Sequence, residues 1–165
     1  MGNEFILLRT RRTAMEALSN RLALIQRLTA NPHELEAINK LMAMAKGDEE
    51  ELIRREAVRA LRDVNNMPEA QMLLVEILDT DPSGEVRMQA TGSLHDASLT
   101  EAARKKLIEM MLGHRLSAVR EAAAGCLTSA IESPEVKEIF MREVARADSC
   151  GVIRRHVVKG LARGL

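Results

Sequence analysis

Apolar positions along this chain follow a helical rhythm that restarts about every 33 residues. Four nine-residue stretches carry it: Ile53 to Leu61, Val86 to Leu94, Val119 to Leu127 and Ile153 to Leu161. The leading aliphatics Ile53, Val86, Val119 and Ile153 are evenly placed, the last step being a single position longer than the two before it. Within each stretch the first, fifth, sixth and ninth positions are apolar or small, and a 3.6-residue turn gathers these on one side of a helix. The expected buried sets are Ile53, Ala57, Val58 and Leu61; Val86, Ala90, Thr91 and Leu94; Val119, Ala123, Ala124 and Leu127; and Ile153, Val157, Val158 and Leu161.

A second helix precedes every copy. Pro32 opens one that runs to about Ala45, with Leu41, Met42 and Ala45 as its apolar face and Gly47 and Asp48 ending it. Its counterparts span Pro68 to Leu78, Thr100 to Leu112 and Pro134 to Ala145, and Leu41, Leu74, Leu107 and Phe140 share one register. Each unit therefore reads helix, turn, helix. Upstream, residues 3–30 hold neither Pro nor Gly and read as helix, one or a bent pair, with Leu18, Leu22, Ile25 and Leu28 along one face. Counting back one period from Ile53 lands on Asn20, so this segment is a degenerate first repeat or cap. The predicted layout is a single all-α repeat domain over residues 1–165, with a cap at 1–31 and units at 32–64, 65–97, 98–131 and 132–165.

Composition sharpens this picture at two points. Aromatic residues make up 1% of the chain while Met occurs ten times, so the core must be aliphatic, which suits closely packed helices. Lys and Arg balance Asp and Glu at 24 each, leaving no global excess to draw nucleic acid or anionic lipid. The charges are unevenly spread: 7 basic against 4 acidic residues over 1–46, 5 against 12 over 47–100, and 12 against 8 over 101–165. Such blocks read first as solvated faces.

A further regularity surrounds the motif. Five residues before the leading aliphatics stand Asp48, Asp81, His114 and Asp148, and one residue after them Arg54, Arg87, Arg120 and Arg154. A carboxylate in the turn can accept from turn amides and from an Arg fork together, within a unit or across to its neighbour. His114 breaks the pattern, so its junction is expected to be the weakest rung. This signature resembles HEAT repeats, and the Val-Arg-x-x-Ala-x-x-x-Leu core resembles in particular the short HEAT-like units first named for phycobilisome lyases. The resemblance covers four units over residues 32–165. It implies a right-handed superhelix of about four to five antiparallel helix pairs, with the second helices lining its concave side.

On that side the outward stripe comprises Arg55, Arg59 and Arg62, then Met88, Gly92 and His95, then Glu121, Gly125 and Thr128, then Arg155 and Lys159. Of these, Arg55, Arg59, Arg62, Met88, His95, Glu121, Thr128, Arg155 and Lys159 are the expected partner-binding residues. Gly92 and Gly125 interrupt helices at about 1 kcal/mol each relative to Ala, which suggests cleared space.

Chemistry finds little support. His33, His95, His114 and His156 are far apart and form no HExxH or His-x-His pair, so neither metal nor other cofactor is expected. Cys126 reads as a packing residue. Cys150, in a turn before a helix start, lacks a helper base for nucleophilic work. The run Asp48 to Glu51 suits a helix start, and no Gly-rich phosphate loop is present. Two cysteines make no disulfide framework, Phe5 to Leu8 is too short for a secretory core, and nothing approaches the ~18 apolar residues that span a bilayer, so a cytoplasmic location is expected. The expected function is that of a non-enzymatic scaffold or adaptor binding a protein partner. A nucleic-acid binder using the basic ends of the stripe, and a bilin lyase or chaperone-like role, are the alternatives. The last motif ends four residues before Leu165, which leaves its outer face uncapped and suggests homo-oligomerisation there.

Overall fold

The computed structural model describes residues 2–30, 34–95, 97–145 and 151–163, with side chains from residue 10 onward except at 152, 153 and 163. Expectations that rest on Pro32, His33, Asp148, Cys150 and the Ile153 side chain lie outside the described residues. Among those described, nine α-helices and no strand are present. Helix α1 (Gly2–Thr29) is one continuous helix. Four pairs follow: α2 (Leu35–Gly47) with α3 (Glu51–Ala60), α4 (Pro68–Thr80) with α5 (Gly84–Leu94), α6 (Glu101–Gly113) with α7 (Ser117–Leu127), and α8 (Pro134–Ala145) with α9 (Gly151–Arg163). Short 3-10 turns, Leu61–Val64 and Thr128–Ala130, extend α3 and α7.

Local chemistry sets these boundaries. Pro68 and Pro134 begin α4 and α8, where a missing N–H costs nothing. Ser83 Oγ accepts from the Val86 amide at 3.4 Å and Thr100 Oγ1 from the Ala103 amide at 3.3 Å, capping α5 and α6. Helices α2, α4 and α6 end alike, on Asp48, Asp81 and His114 with extended ψ angles of 138°, 133° and 138°. His114 thus changes the chemistry of its turn and leaves the backbone path intact.

Helices within each pair pack together, and the second helices pack in a row, α1 on α3, α3 on α5, α5 on α7 and α7 on α9. Helix α1 packs on α3 as each second helix packs on the next. The first helices form a parallel layer, α2 on α4 and α4 on α6. The core lies between the layers and is aliphatic: Ile53, Val58, Leu61, Leu74, Leu94, Leu107 and Leu127 are all fully buried, with Phe140 at the last unit. The predicted buried sets depart from the structure at Thr91, which is half-buried beside the gap between α5 and α7, and at Val158. Val158, on α9, is 51% exposed.

Candidate partner-binding face

The junctions between units fix the geometry of the face, and they run on two hydrogen-bonded ladders. In the first, an Arg reaches the turn carboxylate of the next unit. Arg54 donates from Nε to Asp81 Oδ2 at 2.9 Å and from Nη2 to Asp81 Oδ1 at 3.1 Å, while its Nη1 donates to the Asp48 carbonyl at 2.9 Å. Asp81 Oδ1 also accepts from the Ser83 amide at 2.8 Å. The hydrogen bonds to Asp81 raise the Arg54 guanidinium above its ordinary value, against the opposing effect of burial. Arg21 makes the preceding rung, donating from Nη1 to Asp48 Oδ1 at 2.7 Å.

At the next junction the roles are exchanged. His114 Nδ1 accepts from the Leu116 amide at 3.1 Å, doing for its turn what Asp81 does for Ser83. That bond puts the ring proton on Nε2, which faces Asp79 Oδ1 at 3.1 Å. His114 accepts one turn amide where a carboxylate could serve a turn amide and an Arg fork together, and its link to the neighbouring unit goes to Asp79 in place of Arg87. Arg120 keeps the inner bond, from Nη1 to the His114 carbonyl at 2.7 Å.

The second ladder joins the second helices. Ser93 Oγ donates to the Val58 carbonyl at 3.1 Å, and one period later Cys126 Sγ lies 3.8 Å from the Thr91 carbonyl. Cys126 is fully buried and burial pushes its thiol up to about 12, which fits packing and not nucleophilic work. At the far end of the units Gln71, also fully buried, donates from Nε2 to the carbonyls of Asn65 and Ser98, both at 2.8 Å, and accepts from the Thr100 amide at 2.7 Å.

Held this way, the second helices present the predicted stripe unevenly. Arg59, Arg62, Met88, Arg155 and Lys159 are exposed, while Arg55, His95 and Glu121 are half-buried. Thr128 is only 4% exposed and does not belong to the stripe. It falls in a 3-10 turn, whose tighter winding rotates its side chain inward, and its hydroxyl donates to the Gly125 carbonyl at 2.7 Å. Gly125 is buried as well. A Cβ there would lie 3.7 Å from the His156 ring, so α9 fills the space that the sequence suggested was cleared for a partner. Burial, with Lys159 nearby, lowers the His156 pKa below its ordinary value, and Glu121 opposes the shift.

Among the described residues, two openings lie on this face. One, of about 670 Å³, lies between α1 and α3 and is rimmed by Glu56, Arg59, Arg62 and Asp63 above Leu22 and Ile25. Glu56 accepts from Arg59 at 2.6 Å and lies 3.7 Å from Arg55, so the basic end of the stripe is partly neutralised in place. The other, of about 530 Å³, separates α5 from α7 and is mainly apolar, with Leu78, Met88, Gly92, Ala118 and Ala122 among its walls. Here the space at Gly92 is open: a Cβ would meet no atom within 4 Å. Among the described residues no group of three His, Cys, Asp or Glu side chains could hold a metal ion, and no helix is long and apolar enough to cross a membrane.

Comparison with known families agrees with this architecture. Residues 8–95, covering α1 through α5, match the family model described as HEAT repeats. The chain belongs to the HEAT-repeat family. No curated protein and no solved structure matches it. The matched stretch includes α1, which places Arg21 and its Asp48 rung inside the repeat series.

Proposed function

We propose that this HEAT-repeat protein is a non-enzymatic scaffold that binds a protein partner along the outward side of α3, α5, α7 and α9, in the cytoplasm and without a cofactor. The observation that carries the reading is the pair of openings on one face, a charged one beside Arg59 and Arg62 and an apolar one beside Met88. A partner surface needs both an apolar anchor and a polar rim, and a rigid helical frame offers them with little ordering entropy to lose. Arg55, Arg59, Arg62, Met88, His95, Glu121, Arg155 and Lys159 are the contact residues in this reading. Nucleic acid fits less well, since Glu56 offsets the nearest cations, the chain has no Tyr or Trp, and Phe140 is fully buried. Affinity capture with the native protein and with the Arg55→Glu/Arg59→Glu variant tests the reading. The variant should fold, as seen by circular dichroism, and lose the captured protein. Equal capture, or affinity for duplex DNA that falls steeply with salt, would overturn it.

Self-association through the last pair is a second reading, favoured by one specific comparison. Met141 and Val144 are 57% and 36% exposed, whereas Ile108 and Met111, one period earlier, are 8% and 2% exposed. Val158, on the other helix of this pair, is 51% exposed. Sedimentation showing monomers alone at high concentration would remove this reading.

A further inference from the structure

Arg54 and Arg87 stand one period apart in the same register, and each donates through Nη1 to the carbonyl six residues back, Arg87 to Asp81 at 2.5 Å. Beyond that their situations diverge. Arg54 gives its remaining fork to both oxygens of Asp81. For Arg87 the equivalent place is held by His114, whose ring is engaged by Leu116 and Asp79. Among the described residues no carboxylate pairs with Arg87. A guanidinium keeps its charge at any accessible pH and presents a planar fork shaped for a carboxylate. Arg87 is half-buried, and it lines the apolar cleft between α5 and α7. The cleft thus combines aliphatic walls with one cation whose usual acceptor the repeat does not supply.

We infer that this cleft binds a peptide segment of a protein partner that carries a large aliphatic side chain beside an Asp or Glu, the aliphatic group lying against Leu78, Met88 and Ala122 and the carboxylate taken by Arg87. The inference rests on the reading of these helices as a partner face and adds the chemistry recognised there. A segment of another chain suits the cleft better than a free fatty acid does. Met88 is 62% exposed and Gly92 opens to solvent, so an acyl chain would keep a flank in water that a partner's backbone covers.

The test is a nuclear magnetic resonance titration of the isotope-labelled full chain with an acetylated, amidated helical peptide bearing Leu and Glu one turn apart, and with its Gln counterpart. Saturable shifts are expected at the amides of Gly84, Arg87, Gly92 and Ala118. Replacing Glu by Gln should weaken binding at least roughly tenfold, the worth of a charge-assisted hydrogen bond. Arg87→Gln should erase that preference by removing the cation, and His114→Asp by giving Arg87 an internal carboxylate. Gly92→Leu should block both peptides, and since a Cβ there meets no atom within 4 Å the fold should accept the substitution, which circular dichroism checks. No saturable shift at millimolar peptide, equal binding of the two peptides, shifts centred on α1 and α3, or tighter saturation of the same amides by octanoate would each overturn the inference. If partner capture is lost in Arg55→Glu/Arg59→Glu but unchanged in Arg87→Gln and Gly92→Leu, the scaffold reading stands and the cleft inference falls.

Discussion

The junction between the α2–α3 and α4–α5 pairs and the one that follows it have the same backbone and opposite chemistry. At the first, a buried guanidinium meets both oxygens of a buried carboxylate, and a hydroxyl donates across the second helices. At the second, an imidazole faces Asp79, and a thiol stands where the hydroxyl did. Even the far end differs: Gln71 satisfies three backbone groups, while Arg104, in its register one period later, leaves a buried Nε with no partner among the described residues. Shape is inherited with the repeat period, whereas the polar links are set unit by unit. A solenoid whose stability is a sum over units and interfaces can therefore be stiff at one joint and yielding at the next.

The two junctions should respond unequally when each rung is cut. Asp81→Ala leaves Arg54 as an unpaired buried charge and should cost about 3 kcal/mol in urea unfolding. Asp79→Ala, at the more exposed His114 rung, should cost about 1 kcal/mol or less. Equal losses would erase the contrast. Next in size is local opening. Hydrogen exchange should find residues 113–120 less protected than 80–87, and equal or greater protection there would show that the His114 turn is as firm as its carboxylate equivalent. A thiol probe sharpens the same point: in a Cys150→Ser background, alkylation of Cys126 near neutral pH should be slow and should quicken when Asp79 is replaced, since a buried thiol raised to about 12 reacts only through opening. An Asp79→Ala rate equal to that of the parent would place the flexible point elsewhere.

The smallest effect extends the comparison to the α7–α9 contact. His156 has its pKa lowered in the fold, so the unfolded chain binds its proton more readily. Stability from this group is full above the unfolded value near 6.5 and declines as pH falls through it, levelling off once the folded-state ring is also protonated. His156→Gln should flatten that acid-side slope, and an unchanged slope would assign it to other groups.

What is legible in the sequence is what depends on one helix at a time. Period, pairing, turn positions and the apolar register from Leu41 to Phe140 all follow from side-chain spacing along single helices. The Arg21 rung is within reach too, since counting back one period from Arg54 lands on it, but degeneracy of the flanking positions hides it. What stays hidden depends on a neighbour. Spacing cannot say that Thr128 turns inward where a 3-10 turn changes the winding, that His156 lies over Gly125, or that Val158 stays open to water. Likewise the stripe reads as cationic at its first end only while Glu56, which accepts from Arg59, is left out of the count.

Ala60, Ser93, Cys126 and Gly160 share a register in the second helices, as Leu41, Leu74, Leu107 and Phe140 do in the first. A Cβ at Gly160 would lie 3.0 Å from Phe140 Cε2. By register, the inner units have a leucine in the first helix and a small side chain in the second, whereas the last has a ring against bare backbone, a trade that keeps the sum of volumes nearly level. The two positions should then covary among homologues, a bulky residue at one accompanying a glycine at the other, and a duplication that copied only half of this unit would import an overpacked seam.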